Sequence, residues 1–193
     1  MMKLMAALGL ALCVVACTKA EPLPHLGALP DFRLLDQTAQ TVDSAALRGK
    51  VLVVDFIFTN CPDVCPLMTE QLSALRKRLP KQGELRFVSF SVDPEHDTPA
   101  RLQQFARAHG ALRSDWSFLT GPVDEVKRIV VQGFKEAMEA QPTAAGQPAN
   151  VLHGTHFVLV DRRGEIRGYY RNDEDGQQAL LAAVTSLLSG KTS

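Results

Sequence analysis

From Val51 to Phe58 the chain reads Val-Leu-Val-Val-Asp-Phe-Ile-Phe, apolar at every position but Asp55, and this run constrains the fold more than any other feature. A strand with one face in water alternates apolar and polar residues, so a run apolar on both faces belongs in the middle of a sheet covered on both sides. In α/β proteins such a strand ends at a site-bearing edge. The chain continues as Thr59-Asn-Cys61-Pro-Asp-Val-Cys65-Pro66, with two cysteines four apart. Pro66 suits a first helical position and disfavours the helical conformation at Cys65. The helix is therefore expected to begin at Pro66, with both thiols in the loop at its positive end. That position lowers a thiol pKa. A thiolate is both a nucleophile and a soft-metal ligand, so the local physics permits redox chemistry or metal binding and does not choose between them.

The chain has 4 cysteines, and the other two lie near its start. Lys3 precedes the apolar run Leu4 to Ala16, which contains Cys13, and Val14-Val-Ala-Cys17 closes it. This is the pattern of a signal segment whose end resembles the lipobox of bacterial lipoproteins. The expected organisation is a signal peptide at 1–16, a lipidated Cys17 and tether at 17–28, and one domain at 29–190. The run is short for a membrane span. With Cys13 removed and Cys17 acylated, Cys61 and Cys65 remain as a pair in an exported, periplasm-facing, lipid-anchored protein. A structural disulfide is the bland alternative in an oxidising compartment, but a bridge closing so small a loop removes little chain entropy.

About 175 residues after the signal suffice for a single α/β core. Lys plus Arg and Asp plus Glu number 21 each, so nothing draws the chain to nucleic acid. Phe32–Leu35 and Gln40–Val42 read as a small hairpin. After the buried strand, a helix from Pro66 carries Met68, Leu72, Leu75 and Leu79 on one face and stops at Pro80. Leu85–Val92 is the next strand, and Asp97 is expected to cap a helix that Pro99 starts and that ends near Gly110. Then come a short strand at Trp116–Leu119, a helix at Asp124–Gln132, strands at Thr155–Val160 and Glu165–Tyr170, and a last helix at Asp175–Leu188. Glu136 to Asn150 reads as a loop whose unusual length points to mobility or function.

This order, β-α-β-α, then an antiparallel pair and a closing helix with cysteines at the first strand-to-helix turn, is the thioredoxin architecture. It predicts an α/β fold with a central mixed sheet flanked by helices and an N-terminal β-hairpin extension. Asp55–Pro66, Ser89-Phe-Ser-Val-Asp-Pro-Glu-His-Asp-Thr-Pro99, Val151-Leu-His153 and Phe157-Val-Leu-Val-Asp-Arg-Arg-Gly164 together resemble the Sco/SenC family of copper-binding, thioredoxin-like cytochrome c oxidase assembly proteins. The similarity runs from about Gly27 to Leu188. It implies one copper ion per chain, as Cu(I) or Cu(II), held by Cys61, Cys65 and His153. Two thiolates and an imidazole suit that metal.

Five histidines are present. His156 is a rival for His153; in a strand beginning at Thr155 it lies one pleat further along and either packs beside the site or faces solvent. His25 and His109 read as solvated, and His96 stands where the family often has arginine. Asp63 is either a recognition residue or a complement to the helix N-terminus. The resemblance implies a copper metallochaperone rather than an enzyme. Its target is the dinuclear copper site of cytochrome c oxidase subunit II, and its further partners are other periplasmic copper chaperones or thiol reductases. The alternative is a thiol–disulfide oxidoreductase acting through Cys61 and Cys65 on the cysteines of that site or of another exported protein.

Overall fold

A computed structural model describes residues 23–79, 83–141, 150–153 and 155–190. The signal segment, Cys13, Cys17 and the start of the tether lie outside the described residues. Within the described chain no helix is long and apolar enough to cross a membrane.

The elements are β1 (Gly27–Ala28), β2 (Arg33–Leu35), β3 (Thr41–Asp43), β4 (Val51–Ile57), α1 (Val64–Arg78), β5 (Leu85–Ser91), α2 (Pro99–Ala108) and β6 (Trp116–Leu119). They continue as α3 (Val123–Lys127), β7 (Met138–Gln141), β8 (Asn150–His153), β9 (His156–Val160), β10 (Glu165–Arg171) and α4 (Glu174–Leu188). Six strands form one mixed sheet in the order β1-β10-β9-β4-β5-β6. β4 runs parallel to β5 and antiparallel to β9, with Val54 level with Val88 on one side and Val158 on the other. Every residue of β4 is buried, so both of its faces are covered, as the unbroken apolar run predicts. The apolar stripe of α1 is covered too: Met68, Leu72, Leu75 and Leu79 are all buried. Fully burying one such side chain contributes about 1.5–3 kcal/mol.

Both sheet edges are guarded by the N-terminal region. β1 pairs with β10, and the Leu26 amide donates to Ile166 O at 2.9 Å, so the end of the expected tether lies on the sheet. The hairpin β2–β3 stands at the other edge, where Gln37 donates to Trp116 O at 3.0 Å and accepts from the Phe118 amide at 2.8 Å. An edge covered in this way cannot template pairing with another chain.

Three elements differ from expectation. The helix expected at Asp124–Gln132 is α3 followed by a π-helical segment, Arg128–Gly133. The wider turn, closed by the Phe134 amide on Ile129 O at 3.0 Å, lets Ile129, Val130 and Phe134 all reach the core. Gly133 allows this segment to approach Pro30, whose Cγ would lie 2.5 Å from an added Cβ. The expected loop from Glu136 to Asn150 holds β7 and β8, a separate two-stranded antiparallel sheet, with 142–149 outside the described residues. Met-Glu-Ala-Gln has little strand propensity of its own, so pairing with Asn150-Val-Leu-His153 makes the strand. Finally, α1 begins at Val64, ahead of Pro66. A proline anywhere in the first turn removes an amide that has no intrahelical partner, so Pro66 is tolerated two positions later than expected.

Candidate metal and thiol site

β4 delivers the chain to a tight turn. The Cys61 amide donates to Phe58 O at 3.2 Å, which closes Phe58-Thr59-Asn60-Cys61. α1 comes next with Asp63 as its N-cap, but the Asp63 side chain makes no capping bond. Cys61 supplies one instead, because its Sγ accepts from the Cys65 amide at 3.3 Å. Cys65 therefore sits within the first helical turn rather than in the loop. The two thiols are adjacent and unbridged, Cys61 half-buried and Cys65 fully buried.

The contact between the thiols, together with that burial, reverses one expectation. The Cys65 thiol is held well above the ordinary thiol range, first by its hydrogen bond with the Cys61 thiol, then by burial, and further by the charges of Cys61 and Asp55. The helix N-terminus does not overcome these effects. Asp55 lies within β4, where it accepts from Ser89 Oγ at 2.5 Å; Ser89 Oγ in turn accepts from Trp116 Nε1 at 2.9 Å. A soft cation can replace the proton held at Cys65, so metal binding there comes with proton release.

The turn is anchored from the β5–α2 segment. The Asp97 carboxylate accepts from the Thr59 amide at 3.2 Å, from Thr59 Oγ1 at 2.5 Å and from Ser91 Oγ at 2.7 Å. Arg101 reaches the next residue, donating to Asn60 Oδ1 at 2.5 Å and to His96 O at 3.2 Å. Asp97 is fully buried; burial raises its pKa, opposed by the hydrogen bonds from Thr59 and Ser91. It does not cap α2. Thr98 does, with Oγ1 accepting from the Arg101 amide at 3.4 Å, because the Asp97 carboxylate is turned inward. The apolar patterns of strand and helix carry no trace of this clamp. The signal that could have found it is Thr59-Asn60 ahead of Cys61 together with an aspartate ahead of Thr98-Pro99.

His153 ends β8, level with Met138 of β7, and is described in its backbone alone. Because β9 is antiparallel to β4, β9 begins at the end of the sheet where β4 stops, so His153, His156 and the cysteine turn share that end. His156 opens β9, one residue later than expected, and pairs with Arg171. Its side chain is 43% exposed, with Nδ1 3.6 Å from Oε1 of the buried Glu136. His96 is held by Asp93 at 2.7 Å, and His25 stays exposed near Glu165. His109, expected to be solvated, is largely covered: it bonds Glu70 at 3.1 Å and packs on the Phe105 ring. Among the described residues no group of three or more His, Cys, Asp and Glu side chains is gathered as a metal site, so the thiol pair is the described part of any donor set. Two unbridged thiols in contact fit a soft monovalent ion.

Comparison with known proteins bears on the whole of this body. Residues 22–189 match the SCO1/SenC family model. An SCO1 protein homolog of Bacillus subtilis is 36% identical over 146 residues, 75% of this chain and 74% of that protein. The crystal structure of a SCO1/SenC family lipoprotein from Bacillus anthracis superposes with a TM-score of 0.74 and 31% identity, covering 88% of this chain and 98% of that one. Yeast Sco1, crystallised with copper bound, gives a TM-score of 0.69 and 27% identity over 84% of this chain and 90% of its own. The expected α/β, thioredoxin-like fold with its mixed sheet is the fold of these relatives.

Proposed function

The chain belongs to the SCO1/SenC family, and we propose that it is a copper metallochaperone holding one copper ion per chain through Cys61, Cys65 and His153. The observation that carries this reading is the pair of adjacent, unbridged thiols, Cys61 Sγ lying against the Cys65 amide. Copper bound to a relative, yeast Sco1, supports the choice of metal. The cargo ion would displace the thiol protons at the two sulfurs, which leave to solvent, and the imidazole of His153 would be its third ligand. Transfer to the dinuclear site of cytochrome c oxidase subunit II then proceeds by exchange of thiolates between the two proteins, the half-buried Cys61 releasing first because it is the accessible sulfur. Residues 1–16 act as a signal peptide and Cys17 carries lipid, which leaves the domain anchored on the periplasmic side; a relative described as a lipoprotein supports this.

Anaerobic titration of the reduced domain from Glu21 onward tests the reading. One equivalent of Cu(I) per chain is expected; a stoichiometry near zero overturns it.

The asymmetry of the thiols favours a second reading. Cys61 is half-buried and Cys65 fully buried, the order of an attacking and a resolving thiol. The Cys61 thiolate attacks a disulfide of the target, one target sulfur leaves as a thiolate and takes a proton, and Cys65 then displaces the second. Two electrons pass to the target, the chain is left with a Cys61–Cys65 disulfide, and an external dithiol reductant must restore it. Turnover on a disulfide substrate without dependence on copper would favour this activity.

A further inference from the structure

The turn before Cys61 is held by a segment 38 to 41 residues further along the chain. Thr59 and Asn60 are its two central residues, and each is held from the β5–α2 side, Thr59 by Asp97 and Asn60 by Arg101. The β5 end of the clamp is itself braced. Ser91 Oγ donates to Asp97 and accepts from the Asp93 amide at 3.1 Å, while Val92 N donates to Ile57 O at 2.8 Å. Without these bonds a four-residue turn after a strand has several conformations of similar energy. The one observed points Cys61 Sγ at the Cys65 amide.

We propose that Asp97 is a positioning residue for the thiol pair: by holding Thr59 it sets the turn that keeps Cys61 Sγ against the Cys65 amide, and so favours the open dithiol over the Cys61–Cys65 disulfide. The inference rests on the thiol pair being the working group of the site. A buried carboxylate that merely stabilised the fold would lower thermal stability when removed and leave the thiols of the folded protein unchanged. A positioning carboxylate acts on the thiols of protein that is fully folded. Forming the disulfide brings the sulfurs to about 2.05 Å, closer than any non-bonded contact, so the turn that carries Cys61 has to adjust. A turn released from Asp97 makes that movement with less opposition.

The experiment uses reduced, copper-free protein at a temperature far below its unfolding transition, equilibrated in glutathione redox buffers. In Asp97→Ala the dithiol–disulfide equilibrium is expected to move about tenfold towards the disulfide, a shift of ~30 mV to more negative potential. The ratio of Cys61 to Cys65 alkylation rates should change with it. Asp97→Asn, which keeps an oxygen for Thr59, should restore most of the wild-type values. Thr59→Val removes only the hydroxyl donor and serves if Asp97→Ala does not fold; it should shift the equilibrium in the same direction by less. Folded Asp97→Ala, or Thr59→Val in its place, with the wild-type equilibrium and alkylation ratio overturns the proposal. Copper titration of the same proteins separates this idea from the copper reading. A shifted equilibrium with no copper bound by any of the proteins upholds the clamp and sinks the chaperone. Normal copper binding with no shift does the reverse.

Discussion

The cysteine turn and the β7–β8 hairpin bring candidate ligands to the same end of the sheet by opposite means. The turn is continuous with the central strand β4, and Asp97 and Arg101 tie both of its middle residues to the start of α2. Among the described residues the hairpin is a two-stranded sheet of its own, separate from the six-stranded one. Its footing is the Phe134–Glu136 stretch, where Tyr169 OH donates to Phe134 O at 2.8 Å and the Glu136 amide donates to Val130 O at 3.1 Å. The thiols are therefore set by the core of the protein, and the backbone of His153 by a peripheral element.

The difference can be broken at its strongest point. Cys61→Ser or Cys65→Ser should abolish tight Cu(I) binding, because a protonated hydroxyl is a hard, poor ligand for that ion. Competition against a chelator of known affinity would measure it, and a serine variant that still competes at wild-type strength would remove the thiols from the site. The oxidised protein should behave likewise, with no Cu(I) bound while the Cys61–Cys65 disulfide is intact. Bound Cu(I) should in turn protect both cysteines from alkylation.

Next in size is the imidazole. His153→Ala should weaken Cu(II) by on the order of tenfold or more, about 1.4 kcal/mol per decade, and Cu(I) by less. Two thiolates alone can hold the monovalent ion linearly, whereas Cu(II) prefers a fuller set that includes nitrogen. Parallel affinity measurements in the two oxidation states decide it, and equal losses would count against a hairpin that completes a site already built by the thiols.

The parts of this arrangement that obey local rules were legible in the residues. Val51–Phe58 announced a doubly covered strand, Met68, Leu72, Leu75 and Leu79 announced the buried face of α1, and the adjacent thiols came from their place at the strand end. The features that escaped depend on partners distant in sequence. Asp97 looked like a helix cap because an aspartate before Thr-Pro usually is one; only the fold brings Thr59 within reach of its carboxylate. Val64 begins α1 because the Cys61 sulfur satisfies an amide that the Pro66 rule assumed would stay outside the helix. The hydrogen bond with the Cys61 thiol and then the burial that raise the Cys65 pKa likewise come from the folded surroundings and not from the helix end. β7 was invisible because Met-Glu-Ala-Gln becomes a strand only when Asn150–His153 lies beside it.

A smaller effect separates the two imidazoles at the hairpin. His156→Ala should leave the thiolate-to-Cu(II) absorption band unchanged, since His156 faces Glu136, whereas His153→Ala should move it. Loss of the half-exposed pairing with Glu136 should cost less than about 1 kcal/mol in thermal unfolding. A band that moves in His156→Ala and stays put in His153→Ala would reassign the ligand.

The smallest effect belongs to the clamped side and is a pH dependence. The His96 imidazole is raised above the ordinary value of about 6.5, first by its hydrogen bond with Asp93 and by the charge of that carboxylate, with Glu95 adding to the shift and Arg101 opposing it. A group whose pKa is raised on folding stabilises the native state fully below its unfolded pKa, and that contribution disappears as pH rises through the folded value. Thermal unfolding of wild type and His96→Gln should therefore differ most below about pH 6.5, and the two curves should converge at higher pH. The exposed ring makes the difference small, and taking it against the variant cancels the titration of the remaining histidines. His96 O also receives Arg101, which holds Asn60, so the variant tests whether this end of the clamp transmits protonation to the thiols. The main-chain carbonyl survives the substitution, and the alkylation ratio of Cys61 to Cys65 should stay at its wild-type value across the same pH range. A ratio that tracks the His96 titration would mean that the clamp yields to a surface charge, and the cysteine turn would then be no more firmly set than the hairpin opposite it.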